Sequence, residues 1–167
     1  MNGVYIIIGG NIGDRFLYLS KANSMIETEI GKIILKSNIY QTAAWGNTDQ
    51  HAFLNQVLYI HTTLNAKMLL ETCLQIEKKL GRVRDKKWDA RIIDIDILFY
   101  KDSVINQPNL KIPHPYLQNR RFVLVPLAEI APHFIHPILQ KSIKNLLSAC
   151  QDTLEVKRIE NTASNIA

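Results

Sequence analysis

Apolar positions along the chain switch between two periods, and the switches mark out its elements. Val4 to Ile8 is a short apolar run that predicts a buried strand, closed by the turn cluster Gly9-Gly10-Asn11-Ile12-Gly13-Asp14. Leu19, Ala22, Ile26 and Ile30 then recur at helical spacing, with Asp14 as the N-cap and Gly31 as the residue that stops the helix. Ile33 to Tyr40 predicts a second strand, Gln41 to Ala52 a long loop and Leu54 to Thr63 a third strand. Ala66 to Leu80 predicts a helix stopped at Gly81. A basic loop from Arg82 to Ala90 leads into a strand running from Ile92 to Tyr100. Lys101 to Lys111 reads as a hairpin, Phe122 to Ile130 and Ser142 to Cys150 as helices, and Glu155 to Ile159 as an edge strand.

The order β-α-β-β-α-β over the first hundred residues is the ferredoxin-like pattern, an antiparallel sheet with helices on one face. The fold class is therefore α+β, with the elements after Lys101 covering the other face or extending the sheet. No repeat or Pro/Gly-rich linker divides the chain, so residues 1–160 read as one domain and 161–167 as a disordered tail. Hydrophobic content of 47% beside 21% charged residues is that of a globular protein with a full core, not a disordered one. No apolar run reaches the length of a membrane span, and Met1-Asn2-Gly3-Val4 lacks the basic opening of a signal peptide. Cys73 and Cys150 have no paired spacing, which points to neither a disulfide framework nor a zinc site and makes the cytoplasm the default location.

The strand from Ile92 changes the picture. Its two-residue period puts Asp94 and Asp96 on one face and Ile93, Ile95 and Ile97 on the other. Two carboxylates so close repel, and burying them unpaired is costly. A hard divalent cation relieves both problems, because Mg²⁺ binds through one or two carboxylates plus substrate phosphates. Arg91 adds a fixed positive charge just upstream. The plainer reading is a solvated face with both carboxylates paired to Lys or Arg. Charge placement bears on the choice. The net charge is +5, and seven of the twenty Lys and Arg (Lys78, Lys79, Arg82, Arg84, Lys86, Lys87 and Arg91) immediately precede the carboxylates. A local cluster of that kind suits a polyphosphate ligand. A nucleic-acid binder more often spreads its cations along a face, interleaved with aromatics.

Other residues carry weaker signals. Glu77 borders the apolar stripe of its helix; it reads first as a boundary residue paired with Arg82 or Arg84, and second as a polar contact to a nucleotide. The loop Gly81 to Trp88 could close over phosphates, or be a solvated charge run with Trp88 in the core. The Gly9–Asp14 cluster lacks the ending of a P-loop and reads as a tight turn whose glycines permit close backbone approach. His114 lies between Pro113 and Pro115, with Arg120 and Arg121 close behind; a rigid ligand contact and a structural turn are both open. Phe53, Asn55 and Phe122 would each be called core singly, although an amide flanked by two rings is how a planar heteroaromatic ligand is held.

Taken together, Gly81-Arg82-Val83-Arg84, Arg91-x-x-Asp94-x-Asp96, Ile112-Pro113-His114-Pro115 and Arg121-Phe122-Val123-Leu124-Val125-Pro126-Leu127 resemble the 6-hydroxymethyl-7,8-dihydropterin pyrophosphokinases of folate biosynthesis. The Gly9–Asp14 turn, Tyr40-x-Thr42 and Phe53-Leu54-Asn55 match in the same order, and the resemblance runs from Val4 to about Pro132. It implies a three-layer αβα sandwich on the ferredoxin-like core, working as a monomer with ATP and two Mg²⁺ ions. The implied reaction passes the β,γ-diphosphate of ATP to the pterin's hydroxymethyl group and releases AMP. By motif, Asp94 and Asp96 would bind both metals. Arg82 and Arg91 would steady the charge of the transferred group. Glu77, Arg84, Arg91, His114 and Arg120 would serve ATP. Asn55 would hydrogen-bond the pterin between Phe53 and Phe122, with Thr42, Ala43, Trp45 and Trp88 completing its pocket. Neither a nucleic acid nor a membrane is implied as a partner.

The chain departs from that pattern in places. Gly10 stands where Ser is usual, Ala43, Ala44 and Ala90 replace prolines, and Trp45 is bulkier than the usual aliphatic residue. The basic loop is about one residue short, with Lys87 where Arg is typical, which keeps the charge and loses the bidentate fork. Two other readings stand beside the enzyme: a basic ferredoxin-like module that binds nucleic acid, and an inactive relative that only binds. Asp94 and Asp96 put negative charge where the first would need cations, and the retained arginines speak against the second.

Overall fold

The structure, a computed structural model, describes residues 2–43, 51–83 and 91–160. In chain order its elements are β1 (Asn2–Gly10), α1 (Arg15–Glu29), β2 (Gly31–Lys36), β3 (Ile39–Thr42), β4 (Phe53–Thr62), α2 (Ala66–Lys79), β5 (Asp94–Tyr100), β6 (Ile105–Gln107), β7 (Leu110–Ile112), α3 (Arg121–Ile130), α4 (Ile143–Ala149) and β8 (Val156–Ile159). A 3₁₀ turn over Leu117–Asn119 precedes α3. β1 lies between β4 and β5 and is antiparallel to both. β2 and β3 follow one another along the far edge of β4, and β8 extends the sheet beyond β3. Counting β2 and β3 as one broken strand, this is the ferredoxin-like order that the alternation of periods predicts.

The strand expected over Ile33–Tyr40 is split, and side-chain chemistry explains where. Ser37 takes two backbone partners on β4: its N–H donates to the Val57 carbonyl at 2.9 Å, and its Oγ accepts from the Val57 N–H at 2.9 Å. A side chain that occupies a ladder position interrupts the pleat. The chain resumes as β3 and runs to Thr42, two residues into the stretch expected to be loop. β5 likewise begins at Asp94 and not at Ile92, because the backbone at Arg91 bonds to Asn11 in place of a continuous ladder.

Strand alternation divides the core. One set (Val4, Ile6, Ile8, Leu54, Leu58, Ile60, Ile93, Ile95 and Ile97) packs under α1 and α2 through Leu19, Ala22, Ile26, Leu69, Cys73 and Ile76. The other face buries Ile7, Val57, Leu98 and Phe99 against Leu117, Val123, Leu124, Leu127, Ile143 and Leu146. The sheet is thus the middle of three layers. The β6–β7 hairpin, α3, α4 and β8 all form where the periodicity places them. Caps fix three helix starts: Asp14 accepts from the Leu17 N–H, Asn65 from Met68 and Ser142 from Asn145, each contributing about 1 kcal/mol. Across the layers, the Tyr40 hydroxyl and the Asn38 backbone N–H and Nδ2 donate to Glu129, tying β3 to α3. Among the described residues no helix is long and apolar enough to cross a membrane. Cys73 and Cys150 are both free thiols.

Candidate active site

Register brings the chemistry into line. Gly9 pairs with Asp94 on one side and with Asn55 on the other. Cross-strand partners share a face, so Asp94, Gly9 and Asn55 form a row on the side covered by α3. Neighbouring strands lie about 4.8 Å apart, which sets Asp94 and Asn55 about 10 Å from each other. Gly9, lacking a side chain, leaves the middle of that row to the Asn55 amide. A Cβ there would lie 2.0 Å from Asn55 Oδ1 and 2.8 Å from the Leu54 carbonyl. Phe53 is on the Asn55 face two residues upstream, and Thr42 is its register partner on β3. At the other end, Asp96 shares the Asp94 face while Ile93, Ile95 and Ile97 are buried opposite, as the alternation predicts.

The end of α2 delivers the first arginine. Gly81 has φ +97°, a left-handed conformation that suits glycine. It completes a Schellman cap: the Gly81 N–H donates to the Lys78 carbonyl and the Arg82 N–H to the Glu77 carbonyl, each at 3.0 Å. Chain reversal at Gly81 folds Arg82 back over its own helix. Its guanidinium meets Glu77 Oε1 at 3.0 Å and also donates to Asp94 Oδ1. Glu77 is 2% exposed, and its Oε1 also accepts the Ile95 N–H at 2.7 Å. The expected pairing of Glu77 with Arg82 is present, and the carboxylate lies deeper than the helix boundary that periodicity suggested. Arg91 completes the cluster by donating to Asp94 Oδ2.

Asp96 has the unfavourable position. Burial, the Asp94 charge and the Glu77 charge push its carboxyl up to about 6, against the pull of Arg120 and Arg82. A carboxylate held that high lacks adequate compensation for its charge, which a divalent cation would supply. Among the described residues no three His, Cys, Asp or Glu side chains form a protein-only cage. Two neighbouring carboxylates with no third protein ligand fit Mg²⁺, which completes its shell with water and phosphate oxygens.

His114 is held against this cluster. Its N–H donates to the Leu98 carbonyl on β5, and its Nδ1 accepts the Tyr116 N–H at 3.3 Å. Burial and the Arg120 charge lower its pKa to about 4, opposed by Asp94. The ring is therefore neutral near pH 7, and with Nδ1 accepting, its proton sits on Nε2. Arg120 lies with its guanidinium carbon 5.4 Å from the Tyr116 ring centroid and 5.8 Å from that of Phe122. It thereby links the charged end of the row to the aromatic end.

The structure thus gathers Arg82, Arg91, Asp94, Asp96, His114 and Arg120 about the carboxylates, and sets Thr42, Phe53 and Asn55 on one sheet face, with Phe122 at the start of α3. Among the described residues the Thr42 hydroxyl is buried with no hydrogen-bond partner, and Ala43 is exposed. Trp45, Arg84 and Trp88, with Ala44, Lys86, Lys87 and Ala90, lie outside the described residues. Periodicity did not find Asn11, a 2% exposed polar residue bonded to both sides of the row. Its only signal in the sequence is an Asn directly after two glycines.

Comparisons with known proteins point to one family. The model of the family described as 7,8-dihydro-6-hydroxymethylpterin-pyrophosphokinase (HPPK) matches residues 5–132. The 2-amino-4-hydroxy-6-hydroxymethyldihydropteridine pyrophosphokinase of Aquifex aeolicus is 47% identical over 146 residues, covering 86% of this chain and 89% of that one. The Bacillus subtilis protein of the same name is 44% identical over 132 residues, 78% of this chain and 79% of its own. Among solved structures, wild-type Plasmodium falciparum HPPK-DHPS with SDX-DHP superposes with a TM-score of 0.71 at 20% identity, a likeness of fold. That match covers 89% of this chain and 43% of the Plasmodium chain, so this chain spans less than half of that longer protein.

Proposed function

The chain belongs to the 7,8-dihydro-6-hydroxymethylpterin-pyrophosphokinase family, and from that premise we propose that Asp94 and Asp96 hold the Mg²⁺ that presents ATP to a pterin alcohol lodged at Asn55. It is an ATP-dependent diphosphotransferase of folate biosynthesis, moving pyrophosphoryl from ATP to hydroxymethyldihydropterin. The hydroxymethyl oxygen bonds to the β-phosphorus, the bridge between the α and β phosphorus atoms breaks, and AMP leaves with the bridging oxygen. The alcohol's proton passes to solvent.

The observation that carries the residue assignment is the row Asp94–Gly9–Asn55, with cations at one end and the Asn55 amide at the other. A primary alcohol attacking phosphorus needs alignment and charge neutralisation more than a strong base. Two Mg²⁺ ions, when bound, would neutralise phosphate oxygens and polarise the reacting phosphorus. Arg82 and Arg91, which hold Asp94 here, would turn donors toward the transferred diphosphate. His114 would donate its Nε2–H, and Arg120 and Arg84 their forks, to the phosphates or ribose. Glu77 is committed to Ile95 and Arg82, which favours a part in positioning Arg82 over a contact with ATP. Asn55 would offer both an acceptor and donors to the pterin edge, stacked between Phe53 and Phe122, with Thr42, Ala43, Trp45 and Trp88 around it. The same proposal has the chain working as a cytoplasmic monomer, with no nucleic-acid or membrane partner.

The test is to mix the protein with ATP, Mg²⁺ and 6-hydroxymethyl-7,8-dihydropterin and separate the nucleotides. AMP that forms only with pterin and Mg²⁺ present is the expected result. ADP would mean a simple kinase on this scaffold, and no turnover by a folded protein would favour the inactive-relative reading.

A further inference from the structure

The turn between β1 and α1 joins both ends of the reactive row. Asn11 grips the backbone of Arg91 from two directions: its N–H donates to the Arg91 carbonyl at 2.8 Å, and its Oδ1 accepts the Arg91 N–H at 2.8 Å. Its Nδ2 reaches the other way and donates to the His51 carbonyl at 3.1 Å. Four residues on, at the start of α1, Arg15 Nη1 donates to the Ala52 carbonyl at 2.7 Å. These two carbonyls belong to the two residues that precede Phe53, where the strand carrying Asn55 begins. Gly10 permits the approach, since a Cβ there would lie 2.2 Å from the Ile92 carbonyl.

We propose that Asn11 is a positioning residue that fixes the phosphate-handling segment at Arg91 against the pterin-handling start of β4, with Arg15 as a second strut. The inference rests on the reaction assigned above. Its chemistry follows from what in-line transfer demands: the acceptor oxygen and the β-phosphorus are held by different strands, so their alignment is only as good as the tie between those strands. The amide is suited to the task because it accepts from one segment and donates to the other while 2% exposed, out of competition with water. A misplacement of about 1 Å between reacting groups costs about 100-fold in rate.

Asn11→Ala is expected to lower kcat by about 10- to 100-fold while the Kd for MgATP and for the pterin, each measured alone, changes less than about threefold. A residue that only supported the fold would not separate in that way. A double variant shows whether Asn11 acts through Arg91. In an Arg91→Ala background, adding Asn11→Ala is expected to cost less than about threefold more. Asn11→Asp keeps the acceptor for the Arg91 N–H and loses the donor to His51. It is expected to lose kcat by about 10-fold, and it decides the matter if Asn11→Ala does not fold. Unchanged kcat in the folded variants, or a full multiplicative loss in the double variant, overturns the proposal. Failure of the wild-type protein to make AMP would instead sink the functional reading, so the two failures are distinguishable.

Discussion

Asp96 is a residue whose value to the molecule depends on what is bound beside it. Its carboxyl is held near 6 while an exposed aspartate titrates near 3.8, so above that range the folded state carries a charge it stabilises poorly. The sign follows: a raised acid pKa means that the folded protein loses stability as pH rises from about 4 to about 6, and the whole loss is in place at neutral pH. Asp96→Asn removes the charge at nearly constant volume. The variant is expected to gain about 1 kcal/mol, seen as a melting temperature higher by about 2–4 °C without metal at pH 7.5, and to lose Mg²⁺-dependent turnover altogether. MgATP should then raise the melting temperature of the wild type far more than that of the variant. A lower melting temperature in Asp96→Asn would show the carboxylate to be stabilised by its protein neighbours, and would remove the electrostatic case for a metal at this pair. At this scale the sequence was informative about charge and silent about reach. Asp94, Asp96 and Arg91 announce themselves by spacing. Asn11 does not, because its importance lies in two carbonyls and an N–H that belong to residues remote in sequence.

Among the elements, the end of α2 converts a local backbone rule into active-site geometry. The left-handed Gly81 reverses the chain so that Arg82 returns over Glu77, and Glu77 in turn holds the first peptide of β5 through the Ile95 N–H. Gly81→Ala forces a side chain into a conformation that costs about 1 kcal/mol, and a partly relaxed cap would draw Arg82 away from Asp94. Thermal melts should register the modest cost, while kcat should fall by more than about tenfold at a temperature where the variant is fully folded. Lys79→Ala provides the comparison. Lys79, in the last turn of α2, makes an exposed 3.0 Å pair with Glu29 at the end of α1; its loss is worth about 0.5 kcal/mol and should leave kcat alone. Equal kcat losses in the two variants would show that any disturbance of this helix end suffices, with no special part for the cap. The Gly81 stop was legible, since a glycine after an apolar-periodic helix has one common meaning. The break at Ser37 was not, because a hydroxyl that captures a backbone N–H on β4 looks, in sequence, like any polar residue in an alternating strand. The start of β5 was misjudged for the same reason: the partner that takes over the backbone at Arg91 is an amide eighty residues earlier.

At the scale of the whole molecule, the three layers place titrating groups where their charge states oppose one another, and pH reports the balance. His136 is 3% exposed beneath the edge of Phe99, with its Nδ1 accepting the Ile138 and Leu139 N–H groups at 3.2 and 3.0 Å. Burial lowers its pKa, and His114 on the site side is lowered to about 4. A histidine whose folded pKa lies below its unfolded value takes its proton first in the unfolded chain. Each ring therefore removes stability as pH falls from about 6.5 toward its folded value, by no more than about 1.4 kcal/mol per pH unit. Asp96 works in the opposite direction over part of the same interval, recovering stability as pH falls from about 6 to about 4. Two losses against one gain leave a net decline from pH 7 to pH 5. His136→Asn isolates one of them, because an Asn Oδ1 can accept the same two N–H groups and does not titrate. The variant should be less stable at about pH 7, having lost the ring packed on Phe99, yet its stability should fall less steeply between about pH 7 and about pH 5. Urea unfolding at each pH measures both quantities. Parallel curves for variant and wild type would mean that His136 keeps its ordinary titration in the folded state. The acid sensitivity would then belong to the site itself, and ligand binding, which leaves His136 untouched, would abolish it.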